Sequence, residues 1–233
     1  SVTVPNAIAT FPDYPAEIPA PVGTIAGVSA FQVHFGSETV LTPGDEPDAL
    51  VAMNPAALAV HLSDLTEGGM LIANTAAFTE ENLAMAGYKS NPLEDPELQK
   101  RYEVIPIDIT GLAVEALKDS PLSQRDKLRT KNFFALGFTY WVYGRPIEPT
   151  IAFIEKKWGA KIPDVAEANT KVLKAGYFLG ETTEITRNRY MVARAEVEPG
   201  IYRKISGNEA IALGLAAASR KAKRGILFSG YPI

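Results

Sequence analysis

Between Asp48 and Ala73 the sequence reads as strand, helix and strand within ~30 residues, and that constrains the rest of the chain. Residues 48–53 (DALVAM) form a continuous apolar run ending at Asn54-Pro55. An Asn side chain can accept the first free N–H of a helix, and Pro presets φ at the first helical position. The helix is predicted to run to about Leu65, Gly68-Gly69 to end the unit, and Met70–Ala73 (MLIA) to be the next strand. A helical crossover makes the two strands parallel and the connection right-handed. Strands that are apolar on both sides call for a sheet covered on both faces. A third strand is expected at Tyr102–Ile107, with a helix opening near Thr110. The expected class is α/β, a Rossmann-like, mostly parallel sheet with helices on both faces.

Upstream, Pro12, Pro15, Pro19 and Pro21 predict chain running extended over a surface rather than a helix or central strand. Phe31, Val33 and Phe35 alternate with Gln32 and His34, and Thr39-Val40-Leu41 follows the turn residues Gly36-Ser37, a pattern that predicts a hairpin. Downstream, helices are expected over Arg129–Tyr143, ended by Gly144-Arg145-Pro146, over Ile147–Trp158, and over Pro163–Leu179. Residues 181–205 lack helical periodicity and are expected to be a linker. Beyond them, Ser206-Gly207-Asn208-Glu209 opens a helix rich in small residues, and Ile226-Leu227-Phe228 reads as a strand before the turn Gly230–Ile233. One helix and one strand cannot cover their own apolar side. Residues 206–233 are therefore expected to begin a second α/β domain after a first one over 1–180, in a polypeptide cut at both ends.

With 46% hydrophobic residues, the 233-residue chain can bury a sizeable core. Its net charge of −4 opposes general binding to nucleic acid or to an anionic membrane. No run approaches the ~20 apolar residues of a membrane span, and no basic, apolar leader opens the chain, so a cytoplasmic protein is expected. Cysteine is absent, which removes thiolate metal sites, thiolate nucleophiles and Cys-held clusters from this chain. Any such redox centre must be held by a partner.

Ligands of parallel α/β sheets collect beyond the carboxyl ends of the strands. Asn54, Asn74, and Asp108 with Thr110 stand there as candidates for holding a nucleotide-like ligand. The same residue types are favoured helix caps, so capping is the competing reading. Gly23, Gly27 and Gly36 are too scattered for a G-x-G-x-x-G fingerprint, which disfavours a nicotinamide-dependent dehydrogenase. His34 and His61 have no companions at metal-ligand spacing, and no Ser sits in a G-x-S-x-G turn, so neither a metal site nor a catalytic residue is assigned. The cations of Ser219–Arg224 fit the last turn of a helix, where they offset its dipole.

The run GNEA (207–210), its small-residue helix and the turn GYPI (230–233) resemble the opening of the thiamine-diphosphate domain in the alpha subunit of 2-oxoacid:ferredoxin oxidoreductases. Residues 15–33 (PAEIPAPVGTIAGVSAFQV), 41–58 (LTPGDEPDALVAMNPAAL), 68–74 (GGMLIAN), 131–137 (KNFFALG), 163–169 (PDVAEAN) and 173–177 (LKAGY) are similar to the gamma domain fused ahead of it in the 2-oxoglutarate type. Pro19 departs from the pattern, standing where relatives carry Arg.

The resemblance implies an incomplete gamma domain (1–180), a linker (181–205) and the start of the pyrimidine-binding thiamine domain (206–233). It implies coenzyme A-dependent oxidative decarboxylation of a 2-oxoacid with electrons passed to ferredoxin. Thiamine diphosphate with Mg, coenzyme A and a [4Fe–4S] cluster would serve the whole complex, with Tyr231, Pro232 and Ile233 lining the thiamine site. The implied partners are the remainder of the alpha subunit, a cluster-bearing beta subunit and ferredoxin, in a dimer of heterodimers. Two alternatives stay open: a related enzyme acting on pyruvate or branched-chain 2-oxoacids, and a non-catalytic nucleotide- or coenzyme A-binding interaction module.

Overall fold

The structure, a computed structural model, describes the backbone of residues 7–13 and, in full, residues 27–38, 40, 44–183, 185, 186, 188–193, 195, 196, 205 and 207–229. The chain divides into two units, residues 6–195 and residues 1–5 with 196–233.

In the first unit, β3 (Ala49–Ala52), β4 (Met70–Asn74) and β5 (Glu103–Ile107) form a parallel sheet in the order β3-β4-β5. Ala49 pairs with Met70 and Met70 with Glu103, so all three strands start level, and β3 ends one residue short of the other two. Every residue of β4 is buried. Met70 and Ile72 point into one core with Ile105 and Ile107 of β5, and Leu71 and Ala73 into a second core on the opposite face. The alternation follows from the strand's two-residue period, and burial of both halves confirms a sheet with helices on both faces.

The second core is closed by α1 (Pro55–His61), α2 (Glu80–Met85) and α3 (Pro96–Arg101) through Leu58, Leu83 and Leu98. The six-residue α2 and α3 were not foreseen, because so few turns hold too few apolar positions to show a period. Their capping is nevertheless local and legible: Thr79 accepts the Asn82 N–H, and Asp95 accepts the Glu97 N–H. The predicted helix to Leu65 stops as an α-helix at His61 and continues as a 3₁₀ turn over Leu62–Asp64.

The first core is closed by α4 (Ile109–Glu115), α6 (Lys131–Val142) and α8 (Pro163–Thr182), with α5 (Gln124–Arg129) and α7 (Glu148–Ile154) between them. Helices α6 and α8 touch backbone to backbone. A Cβ at Gly137 would overlap the Leu173 carbonyl, one at Gly176 the Phe134 carbonyl, and one at Gly180 the Trp141 ring. Any larger residue at these places holds the helices apart.

Two expectations upstream are corrected. β2 (Ala30–Gly36) pairs antiparallel with β1 (Ala7–Asp13), and of the expected return strand Val40 is outside any strand while residues 39 and 41 lie outside the described residues. Pro12 sits within β1 opposite Phe31. In a two-stranded ribbon each strand has an unpaired side, so a proline costs no ladder bond if its nitrogen faces outward. Pro15, Pro19 and Pro21 lie outside the described residues.

Part of the stretch expected as a linker is strapped to the first unit. Thr186 Oγ1 and Asn188 Nδ2 donate to the two carboxylate oxygens of Glu103 at 2.5 and 2.6 Å. Arg189 donates twice to the Trp141 carbonyl, at 3.1 and 2.8 Å, and the Tyr190 N–H donates to Val142 O at 2.9 Å. The Tyr190 ring stacks on Tyr143 with centroids 4.9 Å apart, and its hydroxyl donates to the Asp48 carbonyl at 3.0 Å. Burial pushes the Tyr143 hydroxyl pKa up, aided by Tyr190 and Asp48. Tyr190 is raised by burial first, then by Asp48 and Glu103.

In the second unit, α9 (Gly207–Ala222) buries none of its residues. It ends on a Schellman turn, with the Arg224 N–H on Ser219 O at 3.2 Å and Lys223 in the left-handed region at φ 53°. The strand expected at Ile226–Phe228 does not form: these residues pair with nothing, and Leu227 is 97% exposed. A β-strand needs a neighbour for its N–H and C=O groups, and the described residues of this unit include no second strand.

Two outcomes follow from the packing. Gly176→Ala should lower stability by about 3 kcal/mol and Tm by roughly 6–12 °C, read by calorimetry, since the contact cannot close over a methyl group. Above pH ~10 an unfolded tyrosine ionises while Tyr143 keeps its proton, so the native state binds more protons there. Stability should be complete below pH ~10 and fall as pH rises beyond it, with a shallower fall in Tyr143→Phe, measured by urea unfolding at each pH.

Candidate functional site

The carboxyl edge of the parallel sheet gathers the polar residues expected there, and each is engaged within the protein. Asn54 caps α1: its Oδ1 accepts the Ala57 N–H at 2.8 Å, and its Nδ2 donates to the Gly27 carbonyl at 3.1 Å. Gly27 has φ +86°, and a Cβ there would approach the Asn54 amide nitrogen to 3.0 Å, so this contact requires glycine. A second tie lies alongside, where His61 Nε2 meets the Val28 carbonyl at 2.8 Å. His61 is thus a structural pin, with Asp64 3.6 Å from its other ring nitrogen.

Asn74 is fully buried at the end of the central strand. Its Oδ1 accepts the Thr110 N–H at 3.2 Å and the Thr110 hydroxyl at 3.3 Å, and its Nδ2 lies 3.0 Å from Thr110 Oγ1 and 3.4 Å from Met53 O. One amide therefore ties the ends of β3 and β4 to the start of α4. Asp108 caps that helix through the Gly111 N–H at 2.7 Å. As folded, Asn74 has no surface to offer a ligand. Asn54 is half-buried and keeps one amide hydrogen and one lone pair uncommitted.

Tyr231, Pro232 and Ile233 lie outside the described residues. Among the described residues, no three His, Asp or Glu side chains converge as metal ligands, and no helix is long and apolar enough to cross a membrane. The cations Arg220, Lys221, Lys223 and Arg224 lie exposed at the end of α9, as expected of charges that offset a helix dipole.

The geometry shows an α/β scaffold but not its chemistry, which comparison with known proteins narrows. Residues 6–179 match the model of the pyruvate ferredoxin/flavodoxin oxidoreductase family. The chain belongs to that family. Within it, the chain is 47% identical over 228 residues to the 2-oxoglutarate oxidoreductase subunit KorA of Mycobacterium tuberculosis, spanning 98% of this chain and 35% of that protein. The chain thus covers about a third of its curated relative. Among solved structures it resembles 2-oxoglutarate:ferredoxin oxidoreductase from Magnetococcus marinus, with 2-oxoglutarate, coenzyme A and succinyl-CoA bound, at a TM-score of 0.61 and 18% identity. That match covers 96% of this chain and 38% of that one, and it speaks to the fold.

In this family member the two asparagines separate by measurement. Asn74→Ala leaves the Met53 carbonyl and the Thr110 groups without their partner, and should cost about 2–3 kcal/mol in urea unfolding. Asn54→Ala removes a cap and should cost about 1 kcal/mol.

Proposed function

We propose that this chain is part of the alpha subunit of a 2-oxoglutarate:ferredoxin oxidoreductase. It would carry the gamma domain (1–180), a linker (181–205) and the opening of the thiamine-diphosphate domain (206–233). The observation behind this reading is the 47% identity to a 2-oxoglutarate oxidoreductase subunit along nearly the whole chain.

The reaction joins the acyl group of 2-oxoglutarate to the coenzyme A thiol as succinyl-CoA. CO2 leaves and two electrons pass singly to ferredoxin. Thiamine diphosphate, with its Mg, supplies the carbanion chemistry when bound, and the protein supplies position and electrostatics. With no cysteine in the chain, a [4Fe–4S] cluster must find its ligands elsewhere, which is why a beta subunit is the proposed carrier. Tyr231, Pro232 and Ile233 would line the thiamine site, on the strength of the GYPI resemblance. For coenzyme A the residues fit in part: Asn54 has hydrogen-bonding capacity to spare at the sheet's carboxyl edge, and Asn74 would act by fixing the loops beside it. The assembly would be a cytoplasmic dimer of heterodimers with ferredoxin as acceptor.

The family description, which names pyruvate, favours a second reading in which the substrate is pyruvate or a branched-chain 2-oxoacid. Steady-state assay of the complete enzyme with a viologen acceptor decides between them. Reduction that requires coenzyme A and prefers 2-oxoglutarate to pyruvate at least ~10-fold in kcat/KM, about 1.4 kcal/mol, is the expected result. The opposite preference overturns the assignment, and no reduction with any 2-oxoacid leaves the non-catalytic binding module as the reading.

A further inference from the structure

Helix α7, the π-helical turn Glu155–Gly159 and α8 form a hairpin held together through Ile154, Ala166 and Leu173. Beside that contact lies a cavity of about 550 Å³, within the size range of small-ligand sites. Ile151, Gly159 and Ala166 give it an apolar floor. None of its lining residues belongs to the sheet's carboxyl edge described above.

Four charged side chains stand around this floor in a definite order. Glu155 lies at the turn with its carboxylate across Gly159, where an added Cβ would overlap it, so glycine at 159 is what gives this carboxylate its place. Glu167 comes from the start of α8, and Lys171 and Lys174 follow along the same helix. At 100° per residue these three share one face within about 60°, and the two lysine positions stand about 6 and 10 Å beyond Glu167 along the axis. The groove is therefore negative at its turn end and positive at the other.

None of the four charges forms an ion pair. That matters because Glu167 and Lys171 have the i, i+4 spacing and order that favour one. Pairs at helical spacing do close elsewhere: Glu97 with Lys100, Glu115 with Lys118, and Asp126 with Arg129. The helix dipole accounts for acid before base along α8. It does not account for Glu155, which belongs to another element, or for the apolar floor between the two signs.

We propose that this groove binds an ω-amino carboxylate, with the ammonium at Glu155 and Glu167, the carboxylate at Lys171 and Lys174, and the methylene tether over Ile151 and Ala166. An extended tether of five methylenes sets its two charges about 7 Å apart, which fits the offset between the acids and the bases. A ligand of one sign matches one end only, and an apolar ligand matches neither. A lysine at the carboxyl end of a polypeptide and a free ω-amino acid share this chemistry. The proposal does not depend on which 2-oxoacid is used.

Ligand-observed saturation-transfer NMR on the complete enzyme tests it, with 6-aminohexanoate as the probe. Half-saturation is expected at about 1 mM, because exposed charges contribute little each. Hexanoate and hexylamine, each lacking one charge, should bind at least ~3-fold more weakly. Glu167→Gln and Lys174→Gln should each weaken the probe by ~3–5-fold, whereas Lys100→Gln, on α3, should leave it unchanged. Nα-acetyl-lysine separates the two sources: binding at least as tight as the probe's assigns the groove to a chain-terminal lysine, and weaker binding to a free ω-amino acid. The proposal is overturned if the probe shows no saturable binding up to ~20 mM, if either singly charged analogue binds as tightly, or if both groove variants bind it like the wild type.

Discussion

The direct meeting of the α6 and α8 backbones is the contact on which the first unit is built. Gly137 and Gly176 each place a bare Cα against a carbonyl of the opposing helix, and Gly180 admits the Trp141 ring. Close approach lets Phe134, Phe138 and Val142 of α6 and Ala168 and Val172 of α8 reach the same apolar layer as Ile72 and Ile105 of the sheet. At ordinary helix separations of 8–10 Å that layer would contain voids, and interiors tolerate few. The glycines cost intrinsic helix propensity, about 1 kcal/mol each. They persist in the middle of long helices because the packing they permit outweighs that cost.

The same pair of helices fixes the edges of the unit. At the carboxyl end of α6 the Val142 carbonyl takes the Tyr190 N–H, and the Trp141 carbonyl, which already accepts the Gly144 N–H at 3.1 Å, takes two further donors from Arg189. A helix end therefore becomes the dock for the chain leaving α8, and Glu103 at the start of β5 takes two further donors from it. The strap thereby joins α6, β3 and β5 at the amino edge of the sheet. At the opposite edge Asn74 does the corresponding work, binding β3 and α4 to the central strand.

The fold was legible wherever a sequence period matched a buried face. Residues 48–74 announced their βαβ unit because β4 is buried on both sides and its flanks are punctuated by Asn-Pro and Gly-Gly. The ribbon was misread because alternation along Phe31–Phe35 shows that a strand exists but not its partner. Residues 39–41 and 7–13 both offer β-compatible chain, and the prolines of the latter argued wrongly against it. The strap was invisible for a different reason: its bonds join residues more than forty positions apart and follow no period. At the carboxyl edge, Asn54 and Asn74 were found by position, but sequence could not separate a cap from a buried brace, since that depends on which carbonyl lies opposite.

That separation bears on how the site is understood. A residue whose every polar atom is matched inside the protein can affect a ligand only by positioning what surrounds it, and Asn74 is of this kind. Asn54 differs by its exposure and its spare hydrogen-bonding capacity, yet its amide is already oriented by Gly27 and Ala57. An incoming polar group would meet a side chain fixed in advance, with little rotamer freedom left to lose on binding. The strand ends thus form an edge held rigid from behind, and Gly27-Val28 is the segment tied to it through α1.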